Sequence, residues 1–237
     1  MKKIIFFDTE TTGNTTTDYI CQLAYKYGAE EFNCLYKPPV KIPPEASAVH
    51  HISNKMVESK ASFAEHEGKQ KIKELFEDAE TICVAHNAAF DLGMLKNEGI
   101  VPANFICTLR VARDLDAEGK IEKYNLQYLR YLLEIEIDAQ AHDAMGDVKV
   151  LEKLFERLQK KLTDSGMSED EAIEKMIEIS AKPSLMRTFP FGKYNGQKVE
   201  DVARIDPGYL QWLLAQKKQS ESNEEDWIYT LEHFLGK

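Results

Sequence analysis

Short apolar runs separated by polar turns dominate the first part of the chain and predict strands. Residues 3–7 (Lys-Ile-Ile-Phe-Phe) form a nearly continuous apolar run of β-branched and aromatic side chains, which is typical of a buried strand. Similar runs at 19–27 and 32–36 predict two more strands, and the proline pairs at 38–39 and 43–44 interrupt further pairing. We therefore expect an opening meander of three antiparallel strands.

Helical periodicity begins further along the chain. Apolar residues recur three and four positions apart within 69–78, which predicts an amphipathic helix, and an apolar run at 81–85 returns as a buried strand. A meander followed by alternating helices and strands indicates an α/β fold with a mixed sheet flanked by helices. A helix is predicted after Asn87, which would be its N-cap. Further helices are predicted at 107–115, at 126–133 and in the amphipathic segment that opens at 141–148.

The chain changes character beyond about residue 162. A capping box at Ser168 predicts a helix that Pro183 ends, and Asn195-Gly196 predicts a type I′ turn in a hairpin at 189–199. Asp206 as N-cap and Pro207 at the first position predict the next helix. A capping box at 222–225 predicts a last helix that ends at Leu235. The predicted organisation is a main domain at 1–162, a helical linker at 163–184 and a small α+β module at 185–237.

Composition narrows the class of protein. Hydrophobic residues make up 43% of the 237 positions and charged residues 30%, as in a folded globular chain. No apolar stretch reaches the roughly 18 residues of a membrane span, and the amino terminus lacks a secretory leader pattern. The four cysteines are widely spaced, which favours free thiols in a reducing compartment over disulfides or a zinc site. We therefore expect a cytoplasmic protein with no membrane partner.

Two carboxylates follow the first predicted strand directly. Asp8 and Glu10 are separated by one residue, so in an extended chain both project to the same side. Like charges in this position repel unless a cation lies between them, and Mg²⁺ or Mn²⁺ is the cation that prefers carboxylate oxygens. The alternative is that both acids cap a turn or lie in solvent.

Two further groups carry candidate chemistry. Asp91 falls in the first turn of the helix after strand 81–85, at the edge of the sheet where open α/β folds bind ligands, although an acid there also complements the helix dipole. His142 and Asp147 are five residues apart, about 500° of a regular helix, so they cannot both face one point from it. We place His142 on the preceding loop and Asp147 in the first or second turn; the alternative for His142 is a surface or capping role.

The ordered set of motifs resembles the DEDDh branch of the DEDD exonuclease superfamily over residues 1–162. The resemblance implies a ribonuclease H-like fold, Asp8, Glu10, Asp91 and Asp147 as metal ligands, and His142 as general base. The segment 42–50 is similar to the family's connecting loop, in which Gly is usual where His51 stands here. The hairpin and the helix that follows it resemble the C-terminal module of exodeoxyribonuclease X-like proteins.

This resemblance implies a DnaQ-like 3′–5′ exonuclease that uses two divalent ions, Mg²⁺ or Mn²⁺, to hydrolyse phosphodiester bonds. The expected substrate is the 3′ end of DNA, single-stranded DNA in particular, in a repair role or with a polymerase as partner. The alternatives are a 3′ exoribonuclease of the same superfamily and a non-catalytic nucleic-acid-binding adaptor on this fold. The sequence leaves the oligomeric state open.

Candidate substrate contacts flank these motifs. The net charge of −10 repels a polyanion, but the bases from Lys182 to Lys198 occur without an intervening acid and alternate with aromatic residues. Such a pattern suits phosphate contacts and base stacking, and the alternative is a solvated hairpin whose aromatic residues form the module's own core. The predicted contacts are Thr9, Thr11, Thr12, Gly13, His86, Asn87, Phe90, Arg187, Lys193 and Lys198.

Overall fold

A five-stranded mixed sheet organises the computed structural model, which describes residues 2–15, 17–137, 143–220 and 224–236. Its order is β3-β2-β1-β4-β5; the first three strands pair antiparallel, and β4 and β5 run parallel to β1. The meander and the α/β class are therefore confirmed. The strands are β1 Lys3–Thr11, β2 Ile20–Tyr27, β3 Glu30–Leu35, β4 Thr81–Ala85 and β5 Asn104–Cys107.

Helices cover both faces of this sheet. Because neighbouring residues of a strand point to opposite faces, Phe6 packs edge-on against Phe155 of α7, whereas Phe7 packs against Phe76 of α3, each with ring centroids 5.3 Å apart. The helices are α1 Pro44–His50, α2 Asn54–Val57, α3 Lys69–Glu77, α4 Ala88–Asn97, α5 Thr108–Leu115, α6 Leu126–Leu132, α7 Ala144–Asp164, α8 Glu169–Ser180, α9 Val199–Ile205, α10 Pro207–Lys218 and α11 Glu225–Leu235. Within the described ranges, no helix is both long and apolar enough to cross a bilayer.

The region after α8 has its own apolar core. Phe189 is fully buried and stacks on Trp227 of α11 with ring centroids 5.4 Å apart, and Leu210 and Leu214 of α10 join them. In contrast, α8 packs into the larger core beside the sheet, where Ile173 and Met176 are buried. The aromatic residues of the predicted hairpin therefore form a core, as one of the two interpretations of that stretch expected.

Arginines of α5 join the C-terminal region to the sheet. Arg110 is buried; its guanidinium donates to Asp226 and Glu225 at 3.1 and 2.6 Å and to the carbonyl of Ser180 at 2.8 Å. Arg113, one turn later, donates to the other carboxylate oxygen of Asp226 at 2.5 Å. Charge-assisted bonds are stronger than bonds between neutral groups, and loss of one partner would leave the buried Arg110 charge uncompensated, so these contacts fix α11 against α5.

The predicted type I′ hairpin turn is wrong. Asn195 has φ −50° and ψ 129°, and only Gly196 has a positive φ, of 80°, which is a type II turn. A type I′ turn needs both central residues at positive φ, and its twist matches that of paired strands. With the type II turn, a 3₁₀ turn forms at Gly192–Tyr194, and strand pairing in this stretch is reduced to one bridge between Thr188 and Lys198.

Most predicted helix ends are confirmed. The Ser168 capping box and the Asp206 N-cap both form, whereas the last helix begins at Glu225, and Ser222 lies outside the described residues. Asn87 precedes α4 as expected, but it adopts the left-handed conformation, φ 61°, and its side chain makes no capping bond. The four cysteines are free thiols, three of them buried.

Candidate active site

The side chains of Asp8 and Glu10 lie together at the carboxyl end of β1. Both are partly buried on the same side of the strand, and one oxygen from each lies within 4.8 Å of the other and of an oxygen of Asp147. The predicted same-side projection of the two acids is confirmed. Three carboxylates from two elements therefore converge on a single point.

Asp147 reaches this point from the first turn of α7. The helix begins at Ala144, and the side chain of Asp143 caps it by accepting from the backbone N–H of Gly146 at 3.1 Å. Asp147 itself is buried, and Oδ1 accepts a hydrogen bond of 2.5 Å from Nε2 of Gln127. The sequence placed Asp147 in the first or second turn, and the structure confirms it; His142 lies outside the described residues.

Asp91 approaches from the neighbouring strand. It lies in the first turn of α4, which follows β4, and β4 pairs with β1. Asp91 is 3% exposed, and Oδ1 accepts from the hydroxyl of Thr9 at 2.6 Å and from its backbone N–H at 3.1 Å. Thr9 thus holds Oδ1 of Asp91 in place, and the second carboxylate oxygen takes no part in these two bonds. The carboxylate thus flanks the group formed by the other three acids.

The cluster carries an excess of negative charge in a partly dry environment. Burial, followed by the charges of Asp147, Asp91 and Asp143, raises the pKa of Glu10 to about 8. Burial and then the Asp91 and Glu10 charges raise the pKa of Asp8 well above its usual value. Burial raises the pKa of Asp91 to about 7, although the two bonds from Thr9 oppose it. Mutual repulsion of this kind is relieved by a cation between the groups.

The donor set fits a hard divalent cation. The three grouped side chains, Asp8, Glu10 and Asp147, all offer carboxylate oxygens, which are the ligands that Mg²⁺ and Mn²⁺ prefer. Burial is the first cause of the raised pKa values of Asp8 and Glu10, and the charges of the neighbouring acids add to it. A cation site is therefore the arrangement that this geometry favours.

His86 lies at the end of β4 and links two parts of the site. Nε2 lies 2.7 Å from the carbonyl of Tyr124, which can only accept, and Nδ1 lies 2.9 Å from the hydroxyl of Thr108. Burial lowers the pKa of His86 to about 4, so the ring is neutral near pH 7 and carries its proton on Nε2. Both nitrogens are engaged, so His86 positions the loop that carries Tyr124. Its predicted contact with substrate stays a prediction.

The turn after β1 is held by Asp18. Its carboxylate accepts from the hydroxyl of Thr12 at 2.7 Å and from the backbone N–H of Thr15 at 2.8 Å. A Cβ at Gly13 would lie 2.6 Å from a carboxylate oxygen of Asp18, so glycine permits the close approach. Thr11 is buried beside this turn. The predicted substrate contacts here are thus parts of an ordered loop next to Glu10.

The predicted basic contacts are less free than the sequence indicates. Lys193 forms an ion pair of 2.9 Å with Asp206, and its ammonium lies 4.7 Å from the centroid of the Tyr194 ring. Arg187 is exposed and approaches Gly119, where a Cβ would meet its Cδ at 3.0 Å. Lys198 is exposed at the beginning of α9, and Phe90 is half-buried in α4. Whether these side chains contact substrate stays a prediction.

Sequence reasoning missed three polar side chains beside the cluster. Gln127 binds Asp147, Asp143 adds its charge to the environment of Asp8 and Glu10, and Gln22 donates to Asp143 at 3.4 Å. No pattern in the sequence separates these residues from ordinary surface amides and helix caps. A reading of α7 that treated Asp143 as an N-cap would have found one of them.

Comparisons with known proteins agree with this geometry. A family model described as Exonuclease matches residues 5–155, and one described as Exodeoxyribonuclease X-like C-terminal matches 189–218. Exodeoxyribonuclease 10 of Escherichia coli is 33% identical over 202 residues, which cover 85% of this chain and 83% of that protein. A DNA polymerase III subunit epsilon-like protein of Rhodobacter capsulatus is 33% identical over 196 residues, 77% of this chain and 27% of that protein.

Solved structures show the same fold. Exonuclease X in complex with 5′ overhanging duplex DNA is 25% identical, has a TM-score of 0.57, and covers 75% of this chain and 99% of its own. The zinc-bound complex of Escherichia coli exonuclease I with single-stranded DNA is 22% identical, with a TM-score of 0.58, and covers 70% of this chain and 42% of its own. The chain belongs to the exonuclease family of the DnaQ-like superfamily, has an exodeoxyribonuclease X-like C-terminal region, and is a nuclease.

Proposed function

We propose that this nuclease removes nucleotides from the 3′ end of DNA, preferentially from a single strand. The observation that carries the proposal is the convergence of oxygens from Asp8, Glu10 and Asp147 within 4.8 Å, with Asp91 beside them. The similarity to exodeoxyribonuclease 10 supports DNA as the substrate. The DNA complexes of the two structural neighbours, one duplex and one single-stranded, agree with it.

The four carboxylates would hold two divalent cations, Mg²⁺ or Mn²⁺. When bound, such ions stabilise the charge that develops on the attacking and leaving oxygens of a phosphodiester. The side chains of Asp8, Glu10, Asp91 and Asp147 are the groups assigned to hold them. Thr9 keeps one oxygen of Asp91 in place, and Gln127 keeps one oxygen of Asp147 in place, so rigid elements orient both ligands.

His142 is the general base in this proposal. An unperturbed imidazole has a pKa of about 6.5, so it can accept a proton from water near neutral pH. Position 142 immediately precedes the N-cap of the helix that carries Asp147. In sequence, the motif therefore places the base directly before the helix that carries the ligand Asp147. The attacking water passes a proton to the imidazole while its oxygen bonds to phosphorus. The bond from phosphorus to the 3′ oxygen of the preceding nucleotide breaks, that oxygen takes up a proton from solvent, and a nucleoside 5′-monophosphate is released.

In this proposal residues 1–162 form the exonuclease domain, residues 185–237 form a separate module, and residues 163–184 link the two. The core made by Phe189 and Trp227 supports the last unit, because it is independent of the sheet. The segment 163–184 contains α8, which packs against the sheet core, so it adds to the stability of the first unit. A repair role or a polymerase partner would fit the epsilon-like relative.

Incubation of the purified protein with end-labelled oligonucleotides tests the proposal. We expect a 5′-labelled DNA strand to shorten one nucleotide at a time in Mg²⁺ or Mn²⁺, and a 3′-labelled strand to release its label at once. Chelation of the metal should stop both reactions. Faster shortening of the matched RNA strand would instead identify a 3′ exoribonuclease, the second candidate. Shortening of the 3′-labelled strand from its unlabelled end would overturn the assigned direction.

A further inference from the structure

A cavity of about 560 Å³ lies between the catalytic sheet and the C-terminal region. One wall consists of the end of β4 and the beginning of α5, and a second wall is the loop 119–125. The segment 185–190 closes the third side. This volume is within the range of about 300–1,000 Å³ that is typical of pockets for small organic groups. The cavity exists only where the C-terminal region docks.

The cavity and the carboxylate cluster share one edge of the sheet. Strands β1, β4 and β5 are parallel neighbours, so their carboxyl ends lie side by side, roughly 4.8 Å from strand to strand. Asp8 and Glu10 are at the end of β1, whereas Asn87, which lines the cavity, follows β4 and immediately precedes α4, the helix of Asp91. A strand whose terminus reaches the carboxylates can therefore continue along this edge into the cavity.

Charge in the cavity has the opposite sign to that of the whole chain. Arg113, Lys123 and Arg187 line it, against one acid, Glu122, while the chain as a whole has a net charge of −10. Arg113 is held by Asp226 and contributes less positive charge to an incoming ligand. Lys123 and Arg187 are exposed; Lys123 belongs to the loop 119–125 and Arg187 to the segment 185–190, where its side chain lies beside Gly119 and its charge helps to lower the pKa of the Asp116 carboxyl. Cations from two segments of the lining suit a phosphate between them.

The lining also contains an aromatic ring in a fixed position. Tyr124 donates its hydroxyl proton to Asp116 at 2.7 Å, and its carbonyl accepts from His86. Asp116 also accepts from the backbone N–H groups of Lys120 and Ile121 at 3.0 and 2.9 Å, which orders the loop. The ring is half-buried and belongs to the lining. A preorganised ring of this kind is a stacking surface for a nucleobase.

We propose that this cavity binds one nucleotide of the substrate strand, upstream of the terminal nucleotide that is removed, with its phosphate between Lys123 and Arg187 and its base against Tyr124. The inference rests on the proposed exonuclease function and adds a subsite to it. It assigns the phosphate contact to Arg187 rather than to every base of the stretch 182–198, because Lys193 is paired with Asp206 within its own module. The C-terminal region thereby increases affinity for strands that are long enough to reach the cavity.

Four full-length variants test the subsite in matched pairs. Arg187→Ala and Lys123→Ala each remove one cation from the cavity. Arg204→Ala, at an exposed position of α9, and Lys120→Ala, in the same loop as Lys123, each remove one positive charge outside the cavity. Affinity for a fluorescently labelled oligo(dT) strand is measured in chelator over a range of salt concentrations. Hydrolysis of the 4-nitrophenyl ester of thymidine 5′-monophosphate in Mg²⁺ reports the carboxylate site alone, because this probe is too short to reach the cavity.

We expect the two cavity variants to bind the strand several-fold more weakly than their controls. Each lost contact should lower the slope of log affinity against log salt by about 0.7, while turnover of the ester stays at the wild-type value. Arg187→Lys should restore the slope, since it keeps the charge. Equal affinities and slopes for the cavity variants and their controls would overturn the subsite. If the wild-type protein does not hydrolyse the ester in Mg²⁺, the proposed function is overturned instead.

Two further measurements examine the ring and the form of the ligand. Tyr124→Leu should weaken strand binding by about 5- to 150-fold, the range for loss of one stacked base, whereas Tyr124→Phe keeps the ring, loses the hydroxyl bond to Asp116 and should weaken binding much less than Tyr124→Leu. Equal losses in both variants would overturn the stacking contact. A free nucleotide is the other source of the same chemistry. Inhibition by thymidine monophosphate that weakens in Arg187→Ala, with strand affinity unchanged, would assign the cavity to that product and overturn the subsite.

Discussion

Gln127 donates a hydrogen bond of 2.5 Å from Nε2 to Oδ1 of Asp147 and so joins α6 to the carboxylate cluster. The bond fixes the orientation of the Asp147 carboxylate. Partners of this kind, which touch a ligand rather than the ion, set the orientation of the ligand. We expect Gln127→Leu, which has a similar volume, to lower metal affinity or turnover by about 10- to 100-fold. A titration of activity against Mg²⁺ measures the effect, and an unchanged titration would remove Gln127 from the site.

Replacement of the clustered acids should separate activity from stability. Asp8→Ala or Asp147→Ala is expected to abolish digestion of DNA in Mg²⁺. In chelator the melting temperature should not fall, because the change removes one of several repelling charges. Asp164→Ala serves as the control, since Asp164 is an exposed acid of the same helix as Asp147 and pairs with Lys160. Wild-type activity in purified Asp8→Ala would contradict the assignment.

The role of His142 can be separated from that of the metal ligands. His142→Gln should reduce turnover by about 10²- to 10⁴-fold, the usual contribution of a positioned general base, and leave the Mg²⁺ dependence unchanged. The acidic limb of the pH–rate profile should change with it, because protonation of the imidazole causes that limb in the wild type. A pH–rate profile identical to that of the wild type would give His142 a structural role.

Stability in metal-free buffer should fall as the pH rises. The pKa of Glu10, about 8, and that of Asp91, about 7, lie above the values near 4 of an unfolded chain. The folded state therefore binds more protons between these limits, and the free energy of unfolding decreases from about pH 4 to pH 8. Urea titrations across this range measure the slope. Glu10→Gln should flatten it, and saturating Mg²⁺ should reverse it; a slope equal in wild type and Glu10→Gln would contradict the prediction.

His86 gives the opposite dependence. Its pKa of about 4 is below the value of about 6.5 for an unfolded histidine, so its contribution to stability is full above pH 6.5 and is lost as the pH falls through 4. His86→Phe removes two hydrogen bonds and leaves the Tyr124 carbonyl without its donor, at a cost of about 2 kcal/mol near pH 7. The difference between wild type and variant should shrink toward pH 4. A difference independent of pH would show that His86 titrates normally.

Elements with strong local signals could be predicted from the sequence. The apolar run before Asp8 and the alternation of apolar residues in the meander predicted β1 to β3, and the capping residues Ser168 and Asp206 predicted two helix starts. β5 escaped notice because its four residues run directly into α5, so the helical period covers the end of the strand. Helices α1, α2 and α9 were also missed; each has seven residues or fewer.

The candidate site divides in the same way. Its four carboxylates follow buried strands or open a helix, positions that the chain order reveals. In contrast, the bond from Gln127 depends on how α6 packs beside α7, and the pairing of Lys193 depends on Asp206, thirteen residues away. Such contacts are tertiary, so a search for runs of like charge overestimates how many bases are available to a ligand. His51 shows a third case: the resemblance to DEDDh exonucleases implies Gly at this position, and the φ of 62° lies in the left-handed region that favours Gly.

Arg110 of α5 and Asp226 of α11 are 116 residues apart in sequence, yet their ion pair holds one wall of the cavity in place. Synthesis proceeds from the amino terminus, and domains fold as their residues emerge. The sheet and the carboxylate cluster can form on the ribosome while α11 is still unsynthesised, and the arginines of α5 acquire their partners only at the end. A nascent chain therefore forms its carboxylate cluster before the cavity that binds longer strands. A premature stop codon after α8 would remove the cavity and spare the residues of the carboxylate cluster.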